Sequence, residues 1–298
     1  MTIGGPDQEG SLPGLSPQEA ESLAQRHGLQ QVGVRPGFGA YIHDVWRHRS
    51  FLLTMSSADF VAKNQDNYLG QIWSILSPLL LGAAYYLVFG VMLETTRGAV
   101  DNYVPFLITG LFAFLFISAG INNGAKSLTS NMNVVRALRF PRVVLPVAVV
   151  MTQFFVALPA FGIAMVVAVV TGEPITWNWL LYPVAILITF VMVTGLAMIG
   201  AALVYRIRDA ANLLPLITRL LRYVSGVFFV IPAYTSGVIG AVMAYQPVAV
   251  VLTMLRQSLM QGFELTLSVW LASIAWAVAF FLIGFVVFWQ AEGTYGRK

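Results

Sequence analysis

Charged residues fall in clusters along this chain, and between the clusters run long stretches without a single Asp, Glu, Lys or Arg. The stretches between Asp66 and Glu94, Asp101 and Lys126, Arg142 and Glu173, Glu173 and Arg206, Arg222 and Arg256, and Glu264 and Glu292 hold 27, 24, 30, 32, 33 and 27 residues. A helix needs about 20 apolar residues to cross a hydrocarbon core about 30 Å thick. The pattern predicts an all-α integral membrane protein with six transmembrane helices filling residues 67–298. The spans are Gln71–Leu93, Tyr103–Ala125, Val143–Thr171, Trp177–Tyr205, the interval Tyr223–Leu255, and Leu265–Gln290.

The fifth interval is long for one helix, and Gly226, Pro232, Gly237, Gly240 and Pro247 interrupt it. A shorter helix followed by re-entrant helices before the last span fits it; one long kinked helix is the other reading. Interrupted backbone at membrane depth survives only against protein or a water-filled cavity, and such segments often mark a transport path. Residues 236–262 are therefore a candidate outer gate. Pro78 predicts a kink or a shortened cytoplasmic end in the first span.

Upstream, residues 41–66 mix Trp46, Phe51, Leu52, Met55 and Phe60 with Arg47, Arg49, Asp59 and Lys63. That mixture suits an amphipathic interface helix on the membrane surface, or a soluble helix leading into the first span. Residues 1–40 are rich in Pro, Gly and acids and predict a disordered cytoplasmic extension, with a short helix over Ser16–His27 after the Ser16-Pro17 start signal.

Composition sharpens the picture. Hydrophobic residues make up 58% of the chain and charged ones 10%, against roughly 25% charge in soluble domains; mean hydropathy is +0.76. The net charge of +4 is thus no nucleic-acid signal. Lys and Arg number 5, 1, 4, 0, 4, 1 and 2 in the successive segments between spans. By the positive-inside rule this puts both termini in the cytoplasm of a multi-pass plasma (inner) membrane protein. The absence of Cys excludes disulfides and thiol chemistry, and the polar start predicts no cleavable signal peptide.

Little in the sequence suits catalysis. His27, His43 and His48 all precede the first span, with no acids at metal-ligand spacing, so no metal site is expected. The charge gaps leave no ionisable Asp, Glu, Lys, Arg or His within a predicted span, which argues against proton-driven transport. Gly120–Ser127 lacks the adjacent Gly-Lys of a phosphate loop. Neither cofactor nor nucleotide is expected in this chain; if energy comes from ATP, another chain must bind the ATP and Mg.

Aromatics are the positive signal, at 13%. Tyr85, Tyr86 and Phe89 cluster on the first span, Phe106, Phe112, Phe114 and Phe116 on the second, Phe154 and Phe155 on the third, and Phe228 and Phe229 on the fifth. Aromatic faces stack on sugar C–H surfaces without needing charge, so such a path suits a polysaccharide; packing against lipid and neighbouring helices is the ordinary alternative. The basic loop 126–142, with Lys126, Arg136, Arg139, Phe140, Pro141 and Arg142, is either a coupling element seated on a partner or a plain positive-inside loop.

Five segments carry a family resemblance. NYLGQIWSILSPLL (67–80) resembles the opening of polysaccharide-exporting ABC permeases of the O-antigen (Wzm-like) type. Trp46-Arg47 with Phe51-Leu52-Leu53 is similar to their interface helix, and NMNVVRALRFPRVVLP (131–146) to their Phe-Pro…Leu-Pro loop. Arg208-Asp209 resembles their Arg-Asp pair, and Gln246-Pro247 with Arg256 their Asn-Pro…Arg pattern. Asp59 and Lys63-Asn64 depart from the family's Arg-Asp and Arg-Tyr pairs.

The resemblance implies a type-2 ABC permease working as a homodimer with two nucleotide-binding ATPase subunits. Its cargo would be a lipid-linked polysaccharide, and the Ala/Val-rich composition points to the actinobacterial branch and a polyprenyl-diphosphate galactan. Loop 126–142 would couple to the ATPase or gate the diphosphate entrance, where Arg136, Arg139 and Arg142 suit an anion. Two other classes stay open: a similar permease for a drug or lipid, and a membrane enzyme on polyprenyl-linked sugars using Glu94, Asp101, Glu173 or Glu264.

Overall fold

A computed structural model describes residues 37–65, 72–92, 100–137, 140–234 and 237–292. The expected extension over 1–36 with its Ser16–His27 helix, the acid Glu94, the loop residue Arg139, and the terminal Arg297 and Lys298 lie outside the described residues.

Every regular element among the described residues is helical. Helices α1 (Phe38–Arg47) and α2 (Arg49–Gln65) precede α3 (Ile72–Tyr85), which runs on as a π-helical segment, Tyr86–Met92. Then come α4 (Tyr103–Ala125), the short α5 (Ser127–Ser130) and α6 (Met132–Ala137), α7 (Val144–Val170) and α8 (Tyr182–Arg206). Helix α9 spans Ala210–Val224, α10 Ile231–Tyr234, α11 Gly237–Tyr245, α12 Pro247–Leu259 and α13 Leu267–Ala291.

Among the described residues four segments are long and apolar enough to cross a membrane: Tyr103–Ala125, Val144–Val170, Trp177–Arg206 and Leu267–Ala291. The α11–α12 pair, bent by 73°, brings the number to five if it counts as one span. Helices α3 and α9 are too short to count among them.

Helix α4 is the hub. Of its most apolar window 78% is buried within the chain, against 61% for α8, 33% for α7 and 22% for α13. Phe106, Leu111, Phe112, Phe114 and Phe116 fill the core around it. Small residues let the backbones close in. Added methyls at Gly120 and Gly124 would overlap Val193 and Ala197 of α8, and one at Gly284 would lie 2.7 Å from the Gly195 carbonyl. The small-residue face Gly195, Gly200, Ala201 thus packs within the chain, as small residues do wherever membrane helices approach closely.

The amphipathic segment is two helices joined at His48. Phe38 and Tyr41 of α1 set their rings against Phe285 of α13, at 5.9 and 5.5 Å. In α2 the Ser56 hydroxyl donates to the Ala148 carbonyl (3.1 Å), and Thr152 returns a bond to the Ser56 carbonyl (3.2 Å). Trp46 is exposed.

Candidate functional site

Helix α9 is unlike every other long helix here. Leu213, Ile217, Leu220 and Val224 recur on one face, while Asn212, Thr218, Arg219 and Arg222 gather on the other, so this element is strongly amphipathic among apolar long helices from α4 onward. The polar face meets α4 and α3. Asn122 Nδ2 of α4 donates to Thr218 Oγ1 at 3.0 Å and to Ser118 Oγ at 3.2 Å. Arg222 Nη1 donates to the Tyr85 hydroxyl of α3 at 3.1 Å, and its guanidinium lies 5.3 Å from the Phe114 ring. These groups surround a groove of about 390 Å³.

Phe114 is the midpoint of α4, so Arg222 sits beside the middle of a membrane span. The charge count puts Arg219 and Arg222 in a cytoplasmic loop and begins the fifth apolar segment at Tyr223. Helix α9 starts earlier, at Ala210, carries both arginines, and packs Arg222 against a span. A helical wheel over 210–224 contains the signal, because both arginines fall on the Asn212 and Thr218 face.

Two further cavities adjoin the ends of α9. Before its first turn, a cleft of about 680 Å³ is bordered by Thr129, Arg136, Tyr205, Arg206 and Arg208. Beyond its last turn, a pocket of about 300 Å³ lies between Gly226, Phe229, Tyr245, Phe263 and Arg256. Arg256 is 3% exposed. Its Nε, Nη1 and Nη2 donate to the carbonyls of Phe106 (3.2 Å), Gly226 (2.9 Å) and Val227 (3.0 Å), and the guanidinium stacks 3.5 Å from the Phe106 ring. Sequence reasoning counted it as the single cation between the fifth and sixth apolar stretches and as the Arg of the Gln246-Pro247…Arg pattern, with no sign of its burial.

The expected coupling loop divides by role. Arg136 and Arg208 face the large cleft. Lys126 is exposed, and its carbonyl accepts from Thr129 and Ser130. Phe140 is buried against Phe51 of α2 at 5.3 Å, and Pro141 is buried beside it. Arg142 is an anchor: Nη1 pairs with Glu292 Oε1 at 2.9 Å, while the Tyr41 hydroxyl donates to Oε2 at 2.9 Å. Glu292, 6% exposed, had no signal in the sequence beyond ending the last apolar stretch. Asp209 is the N-cap residue of α9, its carbonyl accepting from Asn212 at 3.0 Å.

The aromatic candidates also separate. Tyr85, Phe89 and Phe228 form one group, Phe89 and Phe228 stacking at 4.5 Å with planes 7° apart. Tyr86 stacks on Tyr103 at 6.3 Å, and Phe229 borders the outer pocket. Phe112 and Phe116 are 1% and 2% exposed and belong to the helix core. Phe154 packs on Phe116 and Phe190, and Phe155 on Phe60 of α2.

A family model for ABC-2 type transporters matches residues 51–260. The chain belongs to the ABC-2 type transporter family. The matched region runs from α2 through the bent α11–α12 pair, so the groove, the cleft and the pocket beyond α9 all lie mostly within the family domain. Membership makes this chain a non-enzymatic, multi-pass membrane subunit of an ABC transporter, a class that draws its energy from ATPase partners. Among similar proteins are O-antigen export system permease proteins RfbA. One from Myxococcus xanthus is 26% identical over 172 residues, covering 58% of this chain and 65% of the relative, just under two thirds of its length. Two from Klebsiella pneumoniae are 27% and 26% identical over 220 and 217 residues, covering 71% of this chain and 80% of each relative.

Proposed function

We propose that this ABC-2 permease exports a lipid-linked polysaccharide across the plasma membrane for cell-surface or cell-wall assembly, with a polyprenyl-diphosphate galactan as the specific cargo. The observation that carries the reading is the groove on α9. It sets hydroxyl, amide and guanidinium groups beside Tyr85 and Tyr223 at the level of the α4 midpoint. A sugar chain needs hydrogen-bonding partners in place of lost water, together with flat apolar faces, and a groove for a drug or lipid would not need this density of polar groups. The similarity to O-antigen export permeases points the same way.

In this reading six segments cross the membrane, α3 and α9 among them, with both termini cytoplasmic. Two copies of the chain pair, and two ATPase subunits holding ATP and Mg dock beneath, against the face bearing Arg136, Arg206 and Arg208. The bent pair α11–α12 forms the outer gate.

Reconstitution tests this. The permease and the ATPase encoded beside it are placed in nanodiscs, and ATP turnover is measured with and without polyprenyl-diphosphate galactan. Turnover that rises with the glycan lipid, and not with lipid lacking sugar, is the expected result. A complex insensitive to every glycan lipid overturns the reading.

A further inference from the structure

Three cavities follow one another along a single element, and they share a charge pattern. The cleft before α9 is bordered by Arg136, Arg206 and Arg208, the groove on α9 by Arg219 and Arg222, and the pocket after α9 by Arg256. Among the described residues no Asp or Glu lines any of the three. The acidic counterpart lies elsewhere: Asp101 and Glu173 border a separate cavity of about 430 Å³ beside Gln261. A neutral sugar chain can accept hydrogen bonds from a guanidinium but has no need of its charge, and a cation at membrane depth is expensive, so its presence points to a further function.

We propose that the α9 groove is an anion-binding site for the diphosphate of a lipid-linked cargo, and that the arginines of the three cavities form a ladder along which that group crosses the membrane. The proposal rests on the export reading above and adds to it the site where the charged end of the cargo is held. The atoms suit this ligand. Arg222 spends one donor on Tyr85, while its buried Nε has no hydrogen-bond partner among the described residues, and nor has the buried Oδ1 of Asn122. A guanidinium edge offers paired donors to phosphate oxygens, and the amide oxygen across the groove accepts from the hydroxyl of an adjoining sugar. Arg256, already held by three carbonyls, contributes field at the outer end rather than new contacts. A succession of moderate sites is also what passage requires, since one deep site would trap the ion.

The chain has no cysteine, so Ser118→Cys, on the groove wall beside Asn122, gives a single reporter in the full-length permease in nanodiscs. Inorganic pyrophosphate should slow its labelling by a water-soluble maleimide, and trehalose should not. Arg222→Gln should abolish that protection and Arg222→Lys retain part of it. A reporter that never labels, or protection surviving in the Arg219→Gln, Arg222→Gln double variant, overturns the site.

A second measurement separates this failure from that of the export reading. In the complex with its ATPase, the glycan on a polyprenyl diphosphate is compared with the same glycan on a neutral polyprenyl ether. The diphosphate form should act at concentrations about tenfold lower, the scale set by losing one charged hydrogen bond, and Arg222→Gln should erase the difference. Equal responses to both lipids, without pyrophosphate protection, leave export standing and remove the ladder. Protection without response to either lipid keeps the anion site and removes the polysaccharide.

Discussion

Arg256 shows how one side chain can hold several elements. Its three donors reach α4 and the turn after α9 from a helix of the bent pair, and Gly110 makes the room: a methyl there would overlap the guanidinium. Arg256→Ala leaves those carbonyls without their charged donor in a buried site, and hydrogen bonds to charged groups are worth about 1.5–3 kcal/mol each. We expect a clear fall in the thermal midpoint in nanodiscs, with Gly110→Ala moving it the same way though it removes no polar atom. Gly110→Ala at wild-type stability would show that the guanidinium has room to spare. Arg142 and Glu292 form a second such point, because their pair with Tyr41 ties α1, the loop before α7 and the end of α13 together. In a double-mutant cycle Arg142→Ala and Glu292→Gln should couple by about 1 kcal/mol or more; additive effects would make the contact incidental. The sequence reading placed Arg142 among ligand-facing cations because a basic loop advertises charge, not partners, and the partner lies 150 residues away.

At the scale of elements, the apolar stretches located four spans to within a residue or two, since a helix with no charge for 24 to 32 residues has little else to be. The rule failed at α9 for a physical reason. It treats every Arg as a marker of the aqueous boundary, whereas an amphipathic helix carries arginine inward when its polar face is covered by protein. The same bias hid Arg256. The break in the fifth interval was visible through its glycines and prolines, and Pro247 opens α12 at the position where a missing N–H costs nothing. The outer-gate reading makes its own prediction. Val238 and Val242 of α11 are 81% and 66% exposed, so Val238→Cys and Val242→Cys should react in intact cells with an impermeant thiol reagent added outside. Labelling only after the membrane is opened would put α11 on the other face.

For the molecule as a whole, the groove poses a problem that one chain does not solve. Arg219 is exposed, and so are Leu213, Leu216 and Leu220 of the same helix. In a lone protomer the lipid would meet both a guanidinium and the mouth of a polar groove at membrane depth, and a charge facing hydrocarbon at the bilayer centre costs at least about 2.5–3.5 kcal/mol. In the proposed homodimer that cost would be removed, because a second copy would close the groove into a protein-walled passage and turn Arg219 from lipid toward water and cargo. The homodimer inferred from family resemblance thus acquires a physical reason within this chain. Native mass spectrometry of the permease released from nanodiscs should find two copies together, with or without the ATPase. Arg219→Leu should leave the pairing intact while lowering glycan-stimulated turnover, since the leucine can face either lipid or protein. A monomeric permease that still exports would mean that lipid alone seals the groove, and the closed passage would have to be abandoned.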